Sequence, residues 1–446
     1  MPLDPQAIVS AVRPYVVPID DRPPIIDFGR SEGAKLYDVA DGQLKIDFAA
    51  SYASVPIGYN HPALNEPEFE RELLDVSRVK IANLDILTPS YATFLDAFRR
   101  VVGHPCYGRY FFVDGGALAV ENMMKAAFDW KVRRNMAQGK GERGYEILHF
   151  QEAFHGRSGY TLSVTNTHDP NKTKLFPKFN WPRVTNPKCF FPMEGAHVEA
   201  TLALEEQARK EILAVLHAKA DDIAAILIEP IQGEGGDNHF RPEFLQFLRS
   251  VADEFGCLLI FDEVQCGMGV TGKPWAWQKL GVHPDMWAFA KKAQVGGFIA
   301  GQRLLDEPNN VFQVPSRISS TWGASLPDMV RCRRILEVIE QENLMKNAED
   351  RGIEILNHLH RIAEETELIT NVRGSGLFIA FDLVHPEIRS HLQADMYRRG
   401  LKTLVCGNKS VRFRPHLNVT SEVIAEALGI VAESLRSVDI YAAKSD

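Results

Sequence analysis

The sequence predicts an α/β fold in which helices cover both faces of a mostly parallel sheet. Three observations carry that expectation. Glu146 to Phe150, Ile223 to Glu229, Cys257 to Val264 and Met286 to Ala290 are short apolar runs with the length of buried strands. Leu118 to Met136, Val198 to Ala218 and Pro242 to Phe255 repeat their apolar residues at helical spacing. The two kinds of segment alternate, and a helix between two strands returns the chain so that the strands run parallel. Such sheets bind ligands at the carboxyl ends of their strands, so the chemistry is expected just after them.

The flanks read differently. After about Met329 a long charged helix to Asn347, then more helix to Glu365, leads into a strand at Gly376 to Leu383. A second strand at Ser410 to Pro415 and a terminal helix from Ser421 follow. The first 55 residues hold strand-like pieces at Lys35 to Val39 and Leu44 to Asp47. The expected organisation is a large domain over 56–328 and a small α+β domain made of 1–55 with 329–446, so that the chain ends meet in one unit.

Composition excludes several classes. With 446 residues, 45% apolar and 24% charged, the chain is neither disordered nor fibrous. Its net charge of -8, from 50 basic against 58 acidic residues, argues against a nucleic-acid partner. No apolar run reaches bilayer length, and Met1 to Asp20, with Asp4, Arg13 and four prolines, lacks the core of a signal peptide. Six cysteines form no CxxC or zinc pattern, so no metal and a reducing cytoplasm are expected. Gly267 to Lys273 fits a phosphate-loop spacing, but Pro274 stands where a magnesium-binding hydroxyl is required.

Two strand ends carry the chemistry. Cys257 to Phe261 runs into Asp262-Glu263-Val264-Gln265, and 29 residues after Asp262 another apolar strand ends in Lys291-Lys292. One carboxylate at a strand end is as readily half of a structural ion pair. A carboxylate and an amine at the same end of neighbouring strands suit pyridoxal phosphate, which needs an acid for its ring nitrogen and a lysine for its aldehyde. Asp114-Gly115-Gly116-Ala117 precedes the helix expected near Leu118, so small residues would let backbone amides approach a phosphate at a positive helix end.

In this order the segments resemble the class III, fold-type-I, pyridoxal phosphate-dependent aminotransferases over nearly the whole chain. The residues are Asp114 to Ala117, Ala153-Phe154-His155-Gly156-Arg157, Glu229 to Gly236, Asp262 to Gln265, Lys291 and Val411 to Pro415. The stretch Phe154 to Ser163, and Arg317 with Ser320-Thr321-Trp322-Gly323, resemble the L-lysine 6-aminotransferases first and the 4-aminobutyrate aminotransferases next. The resemblance implies a seven-stranded large-domain sheet and a homodimer with shared active sites.

It also implies roles. Asp262 pairs with the ring nitrogen, Gln265 with the phenolic oxygen, Phe154 stacks on the ring and His155 flanks it. Gly116 and Ala117 hold the phosphate, which Thr321 reaches from the neighbouring subunit, and Ser320 beside it also binds the cofactor. Lys291, six residues after Asp285, forms the Schiff base, with adjacent Lys292 the alternative. The implied substrates are L-lysine, or another ω-amino acid, and 2-oxoglutarate, which becomes glutamate. Arg157 holds the far carboxylate of both, and Arg412 the α-carboxylate of glutamate. Glu234 neutralises Arg412 when lysine is bound and swings away for glutamate. Ser319, Ala293 and Ala324-Ser325 depart from the lysine 6-aminotransferase pattern, as does the loop Tyr52 to Gly58.

Overall fold

The computed structural model describes residues 4–17 and 23–442. Its central sheet has seven strands in the spatial order Tyr107–Val113, Gly296–Gly301, Met286–Phe289, Leu258–Asp262, Ile223–Ile228, Glu146–Phe150 and Arg183–Val184. Every pair from Met286–Phe289 onward is parallel. Gly296–Gly301 runs antiparallel to both of its neighbours.

That strand and its edge partner Tyr107–Val113 were not legible as apolar runs. The reason is steric: a Cβ on Gly297 would lie 2.1 Å from the Phe111 carbonyl oxygen, and one on Gly296 2.5 Å from that of Gly115. The backbones approach where a strand-forming side chain would collide, so the strand begins with residues of low strand preference.

Helices follow the expected periodicities: Gly116–Ala137, Ala196–Lys219 and Pro242–Glu254. The strand expected over Cys257 to Val264 stops at Asp262, whose Oδ1 accepts the Val264 amide at 3.0 Å and turns the chain. The charged helix beyond the large sheet is two helices, Leu326–Gln341 and Leu344–Glu365, broken where Asn343 takes φ 52°.

Gln43–Asp47 belongs to a four-stranded sheet with Ile26–Glu32 and Lys35–Asp38, and its free edge pairs in parallel with Leu401–Lys402. A second four-stranded sheet joins Ile369–Ser375, Phe378–Leu383, Ser410–Phe413 and Leu404–Cys406. Ile46 and Phe48 share a core with Phe381, Phe413 and Ile424, to which Ile57, Ile231 and Val270 also contribute. Burying such side chains stabilises by about 1.5–3 kcal/mol each, which fixes the two sheets beside the strand ends of the large one.

Candidate active site

A cavity of about 560 Å³ opens at the carboxyl ends of the parallel strands. Gly116, Ala117, Phe154, His155, Arg157, Asp262, Gln265 and Lys291 all line it, together with Ser54, Glu229, Val264 and Gly296.

Lys291 and Lys292 part company because the backbone turns over between strand and loop. Lys291 has φ 53° and opens a single 3₁₀ turn, a left-handed conformation that costs a non-glycine residue on the order of 1 kcal/mol. Its Nζ lies at the cavity and donates to the Tyr52 carbonyl at 3.3 Å. Lys292 is buried and donates to the Gln265 carbonyl at 2.9 Å, outside the lining. Burial, then the charges of Arg412 and Arg414, pull the Lys291 amine down to about 8.

Asp262 is 4% exposed. Its Oδ1 is taken by Val264, and its Oδ2 lies 2.8 Å from His155 Nδ1. His155, which also lines the cavity, therefore holds the Asp262 carboxylate in place. Glu263, the next residue, points the other way and accepts the amides of Ala276 and Trp277 at 2.6 and 2.8 Å. Only the first carboxylate of the pair serves the cavity.

Sequence reasoning gave no role to Glu229. Its carboxylate accepts the Phe154 amide at 2.9 Å and the Gly233 amide at 3.0 Å, tying the ring-side loop to the glycine-rich loop. Burial, then the Asp262 charge, push its carboxyl well up. The signal was a carboxylate ending a buried strand, the same signal that marked Asp262.

One end of the cavity is formed by the start of helix Gly116–Ala137. Gly115 caps it with φ 84° and no side-chain bond, which leaves the first-turn amides open to a ligand. A Cβ on Gly116 would lie 2.9 Å from Val264 Cγ1, so only glycine lets this turn close over the strand end. Bare helix amides, a carboxylate and an amine in one cavity are the donor set that pyridoxal phosphate requires, and the residues fit it.

A strained turn walls the mouth. Ala50, Ser51, Tyr52 and Ala53 all have positive φ, from 41° to 65°, without a glycine among them. Asp47 holds this left-handed turn: Oδ1 accepts the amides of Ala49 and Ala50 at 3.0 Å each, and Oδ2 accepts Tyr59 Oη at 2.7 Å. Asp47→Ala should destabilise the protein by about 3 kcal/mol, since three buried donors lose their acceptor. Because Tyr52 caps Lys291, Michaelis constants should rise as well. Denaturant unfolding and steady-state kinetics on one preparation check both.

Four expected residues lie outside the lining. Arg412 is buried, and its guanidinium donates to Gln265 Oε1 at 3.3 Å, which places it next to the cavity. Glu234 is joined to Lys172 and Thr167, and among the described residues no ion pair connects it to Arg412. Arg412 instead has Asp237 at 4.0 Å, a carboxylate committed to Arg414 at 2.6 Å. Ser320 and the exposed Thr321 are away from this chain's own cavity, beside the half-exposed Trp322.

Residues 16–435 match the family described as aminotransferase class-III. The chain is a class-III aminotransferase. This aminotransferase is 46% identical over 414 residues to the L-lysine-epsilon aminotransferase of Mycobacterium tuberculosis, covering 92% of this chain and 91% of that one. It is 31% identical over 443 residues to the human mitochondrial 4-aminobutyrate aminotransferase, at 90% and 85% coverage. A solved structure of the M. tuberculosis lysine aminotransferase, in its internal aldimine form, superposes with a TM-score of 0.94 at 44% identity, covering 98% of this chain and 100% of that one. The fold is that of a fold-type-I enzyme, and the cofactor of this aminotransferase is pyridoxal 5'-phosphate.

Proposed function

We propose that this aminotransferase moves the terminal amino group of L-lysine to 2-oxoglutarate, giving L-glutamate and 2-aminoadipate 6-semialdehyde, which cyclises to piperideine-6-carboxylate. The observation that carries the reading is Arg412. It is a buried cation whose Nε has no partner among the described residues, next to Gln265 and close enough to Lys291 to lower its proton affinity. Its carboxylate neighbour, Asp237 at 4.0 Å, is committed to Arg414, and a buried charge so weakly paired is costly, so such a site calls for an anionic substrate group. The α-carboxylate of glutamate is that group.

Bound pyridoxal 5'-phosphate supplies an electrophilic carbon and an electron-withdrawing ring. Gly116 and Ala117 would hold its phosphate through their amides, Phe154 its ring face, Gln265 its phenolic oxygen and Asp262 the proton on its ring nitrogen. Lys291, pulled down to about 8, is the base that would take a proton from Cε of L-lysine and deliver it to the cofactor carbon that receives the amino group. Arg157, exposed at the mouth, would hold the distant carboxylate of either substrate through paired bonds. Glu234 would neutralise Arg412 while lysine is bound and leave it for glutamate.

The working unit would be a homodimer in which Ser320 and Thr321 reach the partner's cofactor phosphate. Neither lines this chain's own cavity, which supports that assignment. We place the domains at 56–328 and at 1–55 with 329–446, supported by the pairing of Gln43–Asp47 with Leu401–Lys402. Among the described residues no helix is long and apolar enough to cross a membrane. We infer a cytoplasmic enzyme without a nucleic-acid partner.

A donor series with 2-oxoglutarate tests the substrate. L-lysine should yield glutamate and a cyclic product that colours 2-aminobenzaldehyde. Turnover of 4-aminobutyrate with L-lysine inert would replace this reading with that of a 4-aminobutyrate enzyme.

A further inference from the structure

Glu234 has a second cation. Its Oε1 lies 2.5 Å from Lys172 Nζ and accepts Thr167 Oγ1 at 2.9 Å, while its buried Oε2 has no partner among the described residues. Lys172 ends the 3₁₀ turn Pro170–Lys172, in the irregular segment after helix Gly159–Val164. The turn is held by Asp169, whose Oδ1 accepts the Asn171 amide at 3.0 Å and whose Oδ2 lies 3.8 Å from Lys172 Nζ. Thr167 is buried and its oxygen also accepts the Asp169 amide at 3.3 Å. The backbone of Glu234 is tied down too, its carbonyl accepting the Gly407 amide at 2.9 Å. Only its side chain is left to choose a partner.

We propose that Lys172, assisted by Thr167, is the dock that holds Glu234 away from Arg412, and so sets how the one site divides its affinity between the dicarboxylate acceptor and the amino donor. The proposal rests on the reading of Arg412 as the α-carboxylate site. The proposed function pairs Glu234 with Arg412, and each end of that unmade pair is unsatisfied: Glu234 Oε2 on one side, Arg412 Nε on the other. Closing the Glu234–Arg412 pair would satisfy both and deny Arg412 to a carboxylate. Holding Glu234 on Lys172 keeps Arg412 open. The Lys172 side chain is 32% exposed and that of Glu234 14%, so the docked pair is partly screened and weak enough to be broken within a catalytic cycle. Weakening the dock must shift the population toward the closed pair, by only as much as the dock contributes.

The test uses the holoenzyme and a non-reacting probe, glutarate, titrated by calorimetry. Lys172→Met keeps the stem and removes the charge. It should raise the glutarate Kd by roughly three- to tenfold, the scale of a partly exposed ion pair, and leave the L-lysine half-reaction with an apparent Kd that does not rise. Lys172→Arg should restore glutarate binding, and on a Glu234→Gln background Lys172→Met should do nothing further. Equal weakening of both ligands, or a Lys172→Met effect that persists without Glu234, would overturn the dock. Arg412→Lys separates the two claims. If it weakens glutarate while Lys172→Met does not, the dock alone is wrong; if neither weakens it, the acceptor site itself lies elsewhere.

Discussion

Lys291→Ala should lower turnover by at least about a thousandfold and abolish covalent attachment of the cofactor, because one residue serves as anchor and as proton carrier. Lys292→Met should keep the attachment. The difference comes from a single turn of backbone: φ of 53° at Lys291 sends one amine to the cavity, and the other donates to the Gln265 carbonyl at 2.9 Å in the protein interior. The two amines are also unequal electrostatically. Lys292 is pulled down to about 7 by burial, then by Arg414 and Lys291, and Lys291 to about 8 by burial, then by Arg412 and Arg414. An amine attacks a carbonyl only when unprotonated. The rate at which apoenzyme takes up pyridoxal phosphate should therefore rise with pH and level off near 8, more than two pH units below an ordinary lysine. Absorbance of the bound cofactor reports both the variant and the pH series. A full visible band in Lys291→Ala would transfer the anchor to Lys292, and a rate still climbing steeply above pH 9 would remove the lowering by burial and by the Arg412 charge from the account.

The strand-end chemistry was legible because it is local. Asp262 and Lys291 each follow an apolar run, and a parallel sheet brings the ends of such runs together whatever lies between them. Glycines were legible as turns and misleading as strands: Gly115 caps a helix as expected, whereas Gly296 and Gly297 open a strand that exists because Phe111 and Gly115 come too close for side chains. The turn Ala50 to Ala53 left no trace, since four left-handed residues without a glycine are held by Asp47 and Tyr59, not by their own preference. The partner of Glu234 was hidden for a related reason. Lys172 lies 62 residues away, in a segment without periodicity, and a contact between two irregular loops has no pattern to announce it. The contact of His155 with Asp262 was not legible, because adjacency to Phe154 says which loop it is on and nothing about which way an imidazole turns.

Asp262→Asn should cost about a hundred- to a thousandfold in turnover while the apoprotein gains stability, an opposition that identifies the carboxylate as functional. Turnover falls because a neutral amide cannot hold a proton on a ring nitrogen, and His155, 2.8 Å from Oδ2, has no other acid to orient. Binding of the cofactor should suffer less, since the amides at Gly116 and Ala117 and the lysine are untouched. The gain in stability comes from Glu229. Its carboxyl is pushed well up by burial and then by the Asp262 charge, so above the ordinary carboxylate range the unfolded chain ionises Glu229 more readily than the folded one does. That penalty is absent at low pH, grows as pH rises past the unfolded value, and is relieved in part when Asp262 loses its charge. Thermal unfolding of the apoprotein should show Asp262→Asn ahead of the parent at pH 7 and the advantage shrinking toward pH 5. An equal loss of stability at both would make Asp262 a structural residue whose bonds to His155 and Val264 matter more than its charge. Glu229→Gln separates the contributions: it should raise stability at pH 7 by the same route, yet its remaining oxygen can serve only one of the Phe154 and Gly233 amides without rearrangement, so cofactor binding should weaken more there than in Asp262→Asn.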